Sequence, residues 1–366
     1  MEIVLNVDSP GGPTTVLVRA PGRVNIIGEH TDYNGGLALP TITQSYLTMR
    51  LSTLPPDEDC WKIFAEDREC LVNYCPADGY DGEEDWMGFF TSAYHYIDRN
   101  KLAFRPVSIH FHSDIPPGAG MSSSSALTCA LVAGLNALFG WGKDSTQLVH
   151  MASQVEHGYG VQGGLLDQMA IFFGKTGQAM RIDFSDLSFD YVPIGVAGYS
   201  WVLWDSLERR SLVQTPFNQR RREVDAVLHQ LGKDHWQAVS EQQLDALDTL
   251  SPATRERCRY IIRENERVDA MVTALEDNDI PGVGQLLYAS HVGLRNGYEV
   301  SSPALDRVVD HLKRLPQCAG ARMMGGGFGG MVISLIETRA LPQIVDSFRR
   351  IPEYNRASGS FYHIVV

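Results

Sequence analysis

The stretch 114–135, DIPPGAGMSSSSALTCALVAGL, combines the residue types that bind phosphate. Apolar alternation before it predicts a strand, and the spacing after it predicts a helix. Gly118 and Gly120 remove side chains where a ligand could touch backbone. Ser122, Ser123, Ser124 and Ser125 open the helix, whose first amides lack intrahelical partners and carry the positive end of the dipole. That is a cradle for phosphate, with hydroxyls for phosphate oxygens or a metal. A single serine suffices as a helix cap, so four of them behind Gly-Ala-Gly favour the cradle. Two other phosphate motifs fail. Gly174-Lys175-Thr176 ends like a Walker loop, but Met169 stands where that motif requires glycine. Gly325, Gly327 and Gly330 precede a strand rather than a helix, which removes the pyrophosphate site of a dinucleotide fold. Five glycines about Phe328 exceed what a hairpin turn needs, and close backbone approach to a ligand is the alternative.

Two further stretches carry reactive side chains. In SQVEHGYGVQGGLLDQMA, residues 153–170, Asp167 follows a glycine-rich loop, where capping a helix is the commoner role of a carboxylate. Glu156 stands at a helix end, where it gains nothing from the dipole, so a ligand role competes with a solvated one. In RAPGRVNIIGEHTDYNGG, residues 19–36, Arg23, Glu29, His30 and Asp32 crowd round the apolar run Val24–Ile27. Neither an alternating strand nor a plain loop fits that pattern.

The elements that must position these residues follow from periodicity. Strands are predicted over 14–20, 46–52, 61–65, 107–113, 178–184 and 199–205, and helices over 86–98, 122–139 and 144–157. The second half reads as helices over 217–231, 235–247, 253–277, 281–296 and 303–315. Strands near 319–324 and 331–336, a helix from 340 and a last strand, FYHIVV, close the chain. PIGVAG breaks the pattern near 190–200, which suggests a domain boundary and two α+β layers with a cleft between them.

With 366 residues, 44% hydrophobic and 20% charged, the chain can bury a sizeable core. A net charge of -13 excludes a general nucleic-acid binder, which needs a basic surface, but not a phosphorylated ligand. The start of the chain has no signal-peptide pattern, and no apolar run approaches the ~20 residues that span a bilayer. The six cysteines contain no Cys-x-x-Cys pair, so reduced thiols in a cytoplasmic protein are expected. His110 and His112 share a strand face with no third ligand evident, which argues against a metal there. Arg220–Arg222 reads as a solvated or ion-paired helix face.

Taken together, the motif stretches resemble the galactokinase family. GRVNIIGEHTDYNGG is similar to that family's signature. PPGAGMSSSSA resembles the nucleotide loop of the wider superfamily of galactokinases, homoserine, mevalonate and phosphomevalonate kinases, the GHMP kinases, and GGGFGG its third motif. GLLDQ (164–168), FNQRRRE (217–223), RENERV (263–268) and LRNGYEVSSPALD (294–306) extend the likeness, in order, over nearly the whole chain.

The resemblance implies an α+β, two-domain GHMP kinase fold. Residues 1–195 would form an N-terminal ribosomal-protein-S5-domain-2-like α/β domain and residues 196–366 a C-terminal ferredoxin-like α+β domain, with the active site in the cleft. It implies ATP-dependent phosphorylation of galactose at its C1 hydroxyl. The alternatives are a related amino sugar or uronic acid as substrate, or a non-catalytic sensor of sugar and ATP. Intact Ser122–Ser125 and Asp167 favour the enzyme.

By the same resemblance, Asp167 is the catalytic carboxylate and Arg23 the arginine beside it. Glu29, His30 and Asp32 hold sugar hydroxyls, and Gly164 is a backbone contact to the sugar. Gly118, Ala119, Gly120, Met121, Ser122, Ser123, Ser124, Ser125 and Arg209 serve the nucleotide. Ser124 and Glu156 hold Mg2+ through hard oxygen donors. A carboxylate near the C1 hydroxyl can take its proton while a guanidinium stabilises the developing oxyanion. Sugar and ATP are the implied partners, with no nucleic acid or membrane, and a monomer is the expected state. Phe217 stands where the family usually has a sugar-contacting tyrosine, and Gly163 replaces a usual cysteine. Both departures bear on which sugar is accepted.

Overall fold

The computed structural model describes residues 1–7, 14–116, 120–160, 163–208, 217–355 and 361–364. In chain order the first half contains β1 (Glu2–Val7), β2 (Thr14–Asn25), β3 (Leu37–Ala38), β4 (Pro40–Thr53), β5 (Trp61–Ala65) and β6 (Cys70–Tyr74). Then come α1 (Met87–Arg99), β7 (Val107–Ser113), α2 (Ser123–Phe139), α3 (Ser145–Tyr159), α4 (Leu166–Phe173), β8 (Gln178–Asp183) and β9 (Ser188–Pro193). The second half contains β10 (Tyr199–Asp205), α5 (Phe217–Gln230), α6 (Glu241–Asp245), α7 (Pro252–Glu276), α8 (Ile280–Val292), α9 (Pro303–Lys313) and β11 (Cys318–Met324). It closes with β12 (Met331–Glu337), α10 (Leu341–Arg349), α11 (Pro352–Asn355) and β13 (Phe361–Ile364).

Most predicted elements lie within two or three residues of these bounds, and the differences have local causes. The helix expected over 235–247 is broken into a 3-10 turn at Trp236–Ala238 and α6, because Ser240 and Gln243 form a reciprocal capping box that starts a new helix. The helix expected over 281–296 ends as α8 at Val292 and continues as one wider π turn, Gly293–Gly297. β4 starts at Pro40, well ahead of the expected 46.

Two compact units result, and they do not follow the single break expected near 190–200, with its 1–195 and 196–366 halves. The first is residues 1–23, 44–117 and 121–174; the second is residues 24–43, 118–120 and 175–366. Residues 24–43 pack with the second half of the chain because β3 pairs with β8, Leu37 opposite Asp183 and Ala38 opposite Ile182. Sequence proximity gives no sign of that pairing.

In the first unit the strand order is β1-β2-β4-β7-β5-β6. β5 runs parallel to β7; β4 is antiparallel to β7, with Met49 opposite Phe111. α2 is buried on every side from Ser125 to Leu135, as an interior helix must be when it is apolar all round. It packs against α3, and α3 packs against α1 and α4. In the second unit an antiparallel sheet of order β11-β12-β10-β13 is covered by α8 and α9. Trp204, Trp236, Ile261, Tyr298, Leu305 and Ile333 are among its fully buried side chains. No helix among the described residues is long and apolar enough to cross a membrane.

The cysteine expectation needs correcting. Cys60 and Cys75 form a disulfide, with Cα atoms 4.3 Å apart. Trp61 pairs with Tyr74 in the β5–β6 register, so the two cysteines face each other at the next step of the hairpin. Strand pairing rather than spacing brings them together, and the argument for a cytoplasmic setting from reduced thiols falls with it. Cys70, Cys129, Cys258 and Cys318 are free. Thiol titration of the denatured chain is therefore expected to count these four before reduction, with Cys60 and Cys75 added only after it. Cys60→Ser should lower stability in urea unfolding by up to about 3 kcal/mol, the scale for a closed loop of this length. Reactive Cys60 and Cys75 in the unreduced chain would contradict the pairing.

Candidate active site

The first unit gathers Arg23, Asp167 and the serines of α2. Asp167 lies in the first turn of α4, where the helix dipole favours a carboxylate. Its side chain does not cap α4. Arg23 Nε donates to Oδ1 at 2.6 Å, while Ser122 Oγ at 2.5 Å and Ser125 Oγ at 3.3 Å donate to Oδ2. Arg23 is 8% exposed, and its amide donates to the Met121 carbonyl, which ties the end of β2 to the start of the serine run.

Ser122 adopts φ +55, a left-handed conformation that costs a non-glycine residue free energy and persists only where the surroundings enforce it. It is the N-cap residue of α2, yet its hydroxyl goes to Asp167 and makes no capping bond. The serine run thus is not spent on capping. Ser125 is buried, Ser122 and Ser123 are half-buried and Ser124 is exposed in the first helical turn.

Glu156, on α3, is 6% exposed and accepts from Thr128 Oγ1 at 2.8 Å. Burial, and then the neighbouring Asp167 carboxylate, push its pKa from 4.5 up to about 7, against the hydrogen bonds of Ser125 and Thr128 and the charge of Arg23. Two carboxylates and three hydroxyls, those of Ser122, Ser125 and Thr128, form a hard-oxygen group whose internal repulsion a cation would relieve. Elsewhere, Glu66 Oε2 lies 3.0 Å from His110 Nε2 and 3.5 Å from His112 Nδ1. Among the described residues no group of three or more His, Cys, Asp or Glu side chains could hold a metal.

The second unit holds the 28–37 loop. Glu29 is 6% exposed, and its Oε1 accepts from the Gly325 amide at 2.8 Å and from Arg322 Nη2 at 3.2 Å. His30, at φ +62, is a second strained residue. Its Nδ1 lies 2.6 Å from the Tyr33 hydroxyl, which lies 3.0 Å from that of Tyr298. Asp32 is half-buried and opens a 3-10 turn, Asp32–Asn34. The third motif is a tight turn in which Gly325, Gly327, Gly329 and Gly330 all hold positive φ, so the backbone itself requires most of its glycines.

Arg322 is the residue that sequence reasoning missed. It is fully buried and donates to the carbonyls of Asn25 at 2.5 Å, Ile26 at 2.6 Å and Met323 at 2.7 Å, besides Glu29. An arginine inside the otherwise apolar strand ahead of GGGFGG was the available signal. Tyr33 and Tyr298 were also missed, because their contact spans 265 positions. Gly164 lies just ahead of α4, and Gly120 precedes the serine run at φ +63. Gly118, Ala119 and Arg209 lie outside the described residues, as does the side chain of Phe217, which opens α5.

With this geometry in hand, three family models match the chain: the galactokinase galactose-binding signature over 8–52, the GHMP kinase N-terminal domain over 89–175 and the GHMP kinase C-terminal domain over 271–351. The chain is 35% identical over 338 residues to a galactokinase of Thermotoga maritima, covering 91% of this chain and 94% of that one. It belongs to the galactokinase family. A galactokinase of Thermosipho africanus is 36% identical over 86% of this chain and 88% of its own. The galactokinase of Lactococcus lactis complexed with galactose superposes with a TM-score of 0.87 at 26% identity, covering 96% of this chain and 93% of that chain. A mevalonate kinase of Methanococcus jannaschii, at 16% identity and a TM-score of 0.64, shares the fold. The two-domain α+β GHMP kinase fold that the family implies is thereby shown.

The buried Glu156 carboxyl gives a prediction for the metal-free protein. Its folded pKa of about 7 lies above the ordinary 4.5. Its contribution to stability is therefore fully present below pH 4.5 and is lost as pH rises through 7. Glu156→Gln has no such proton to lose. The variant should gain on the parent by up to about 3 kcal/mol between pH 4.5 and 8. Urea unfolding of both proteins across that range checks it, and parallel pH profiles would contradict it.

Proposed function

We propose that this chain phosphorylates galactose at the C1 hydroxyl, using ATP and releasing ADP. The observation that carries the chemistry is Asp167, held by Arg23 on one oxygen and by Ser122 and Ser125 on the other, beside the amino end of α2. The sugar assignment rests on the signature match and on galactokinase relatives across nearly the whole chain.

In the step proposed, the C1 oxygen forms a bond to the γ-phosphorus as the bond from that phosphorus to the bridging β,γ-oxygen breaks. The C1 proton passes to Asp167 Oδ2, and ADP carries away the leaving oxygen. Phosphoryl transfer is largely dissociative, so positioning and charge stabilisation contribute more than base strength. Arg23 stabilises charge developing at the C1 oxygen and holds Asp167 in one orientation. The amino end of α2 and its serines bind phosphate oxygens, with Gly118, Ala119, Gly120, Met121 and Arg209 as further nucleotide contacts. Glu29, His30, Asp32 and the Gly164 backbone recognise sugar hydroxyls, with Phe217 a further sugar contact that the family resemblance implies.

Mg2+ suits the oxygen donors of Ser124 and Glu156, and when bound it neutralises phosphate charge. The Glu156 carboxyl must lose its proton to bind the ion, so Mg2+ affinity should rise with pH through about 7. All these residues come from one chain, so a monomer suffices, and the cytoplasm supplies the ATP.

Asp167→Asn tests the reading. It keeps the shape and one acceptor oxygen but cannot take the proton. Turnover should fall at least ~10²-fold while galactose binding by calorimetry persists. Near-parent turnover in the folded variant would remove Asp167 from the reaction. Magnesium titrations of Ser124→Ala and Glu156→Ala should each shift to higher concentration; curves that overlay the parent would remove the metal assignment.

A further inference from the structure

The RENERV stretch of α7 has no part in the chemistry above, yet it faces the 28–37 loop. Glu264 is fully buried. Its Oε1 accepts from the Gly28 amide at 3.1 Å and from Ser290 Oγ at 2.6 Å, and its Oε2 from Arg267 Nε at 2.6 Å. The next residue, Asn265, accepts from the Leu37 amide through Oδ1 at 2.8 Å. One turn earlier, the Tyr260 hydroxyl donates to the Glu29 carbonyl at 3.0 Å. Adjacent residues of one helix thus hold the two ends of the loop, and a third holds the backbone of Glu29.

The loop is built to meet them. At Gly28, with φ +91, a Cβ would lie 2.5 Å from the Leu37 carbonyl oxygen. At Gly36 it would lie 2.5 Å from Asn265 Oδ1. Thr31 Oγ1 closes the ring, 2.8 Å from the Gly28 carbonyl and 2.7 Å from that of Leu37. Inside this closed loop His30 is kept at φ +62, which an untethered histidine would leave.

We infer that Tyr260, Glu264 and Asn265 are positioning residues for sugar recognition: they clamp the loop backbone so that Glu29, His30 and Asp32 are oriented before substrate arrives. The inference rests on the kinase reading above. Pre-setting a loop raises affinity by removing the ordering cost from the binding step. A side chain displaced by about 1 Å loses its hydrogen bonds to a hydroxyl, whereas the Asp167 group, bonded within the other unit, keeps its own contacts. The loss should therefore fall on galactose and spare ATP.

The test uses Tyr260→Phe, which keeps the ring and removes one donor, and Asn265→Ala, which leaves the Leu37 amide without its acceptor. The KM for galactose should rise about tenfold in Asn265→Ala, the effect of one unsatisfied buried amide, and about threefold in Tyr260→Phe. The KM for ATP should stay within twofold, and kcat at saturating galactose likewise. Calorimetric galactose binding without nucleotide should weaken in step. A lowered melting temperature with an unchanged galactose KM in the two variants would overturn the inference and leave these residues structural. So would equal rises in the KM for galactose and for ATP. If Asn265→Ala does not fold, Tyr260→Phe alone decides. A parent protein that does not phosphorylate galactose would instead overturn the kinase reading.

Discussion

The bond from Arg23 to Asp167 spans 144 positions and orders the polar cluster of the first unit. It commits one carboxylate oxygen to the guanidinium and leaves the other to Ser122 and Ser125. Much of the local fold serves that arrangement. Arg23 lies two residues before the end of β2, Asp167 lies in the first turn of α4, and Ser122 takes a strained backbone as its hydroxyl meets the carboxylate. Burial, and then the Asp167 charge, push the neighbouring Glu156 up to about 7, so two carboxylates repel each other in this group. On the reading proposed for Glu156, stability and activity pull in opposite directions there.

The second unit solves a different problem, that of holding a loop rich in polar side chains. Buried Arg322 gathers the carbonyls of Asn25 and Ile26 and the Glu29 carboxylate, and the Gly325 amide joins it at Glu29. Glu29 is therefore shared: one oxygen secures the turn of the third glycine motif. Four of the five glycines of GGGFGG serve that turn through positive φ, more than the hairpin expectation alone required.

Elements were readable where periodicity is strong. β5, β7 and β10 match their predicted spans, and α2 ends at Phe139 as predicted. The serine run was legible as a phosphate cradle from its residue types, whereas Arg23 and Asp167 only stood out by composition and took their roles from the resemblance. What stayed hidden depends on contacts remote in sequence. The Cys60–Cys75 bond follows from hairpin register, the allegiance of residues 24–43 from the β3–β8 pairing, and the function of Glu264 and Asn265 from amides more than 200 positions away. Ser125 was read only as one serine of four; its burial and its bond to Asp167 set it apart from exposed Ser124.

The reaction proposed is transfer of phosphate from ATP to the anomeric oxygen of galactose. Phosphorus NMR of the product, formed with ATP, Mg2+ and each of a panel of hexoses, tests it most directly. The expected product is a sugar phosphate coupled to the anomeric proton, formed with galactose at the highest kcat/KM of the panel and matched one-for-one by ADP. Phosphate on another carbon, or ADP release that galactose does not increase, would contradict it.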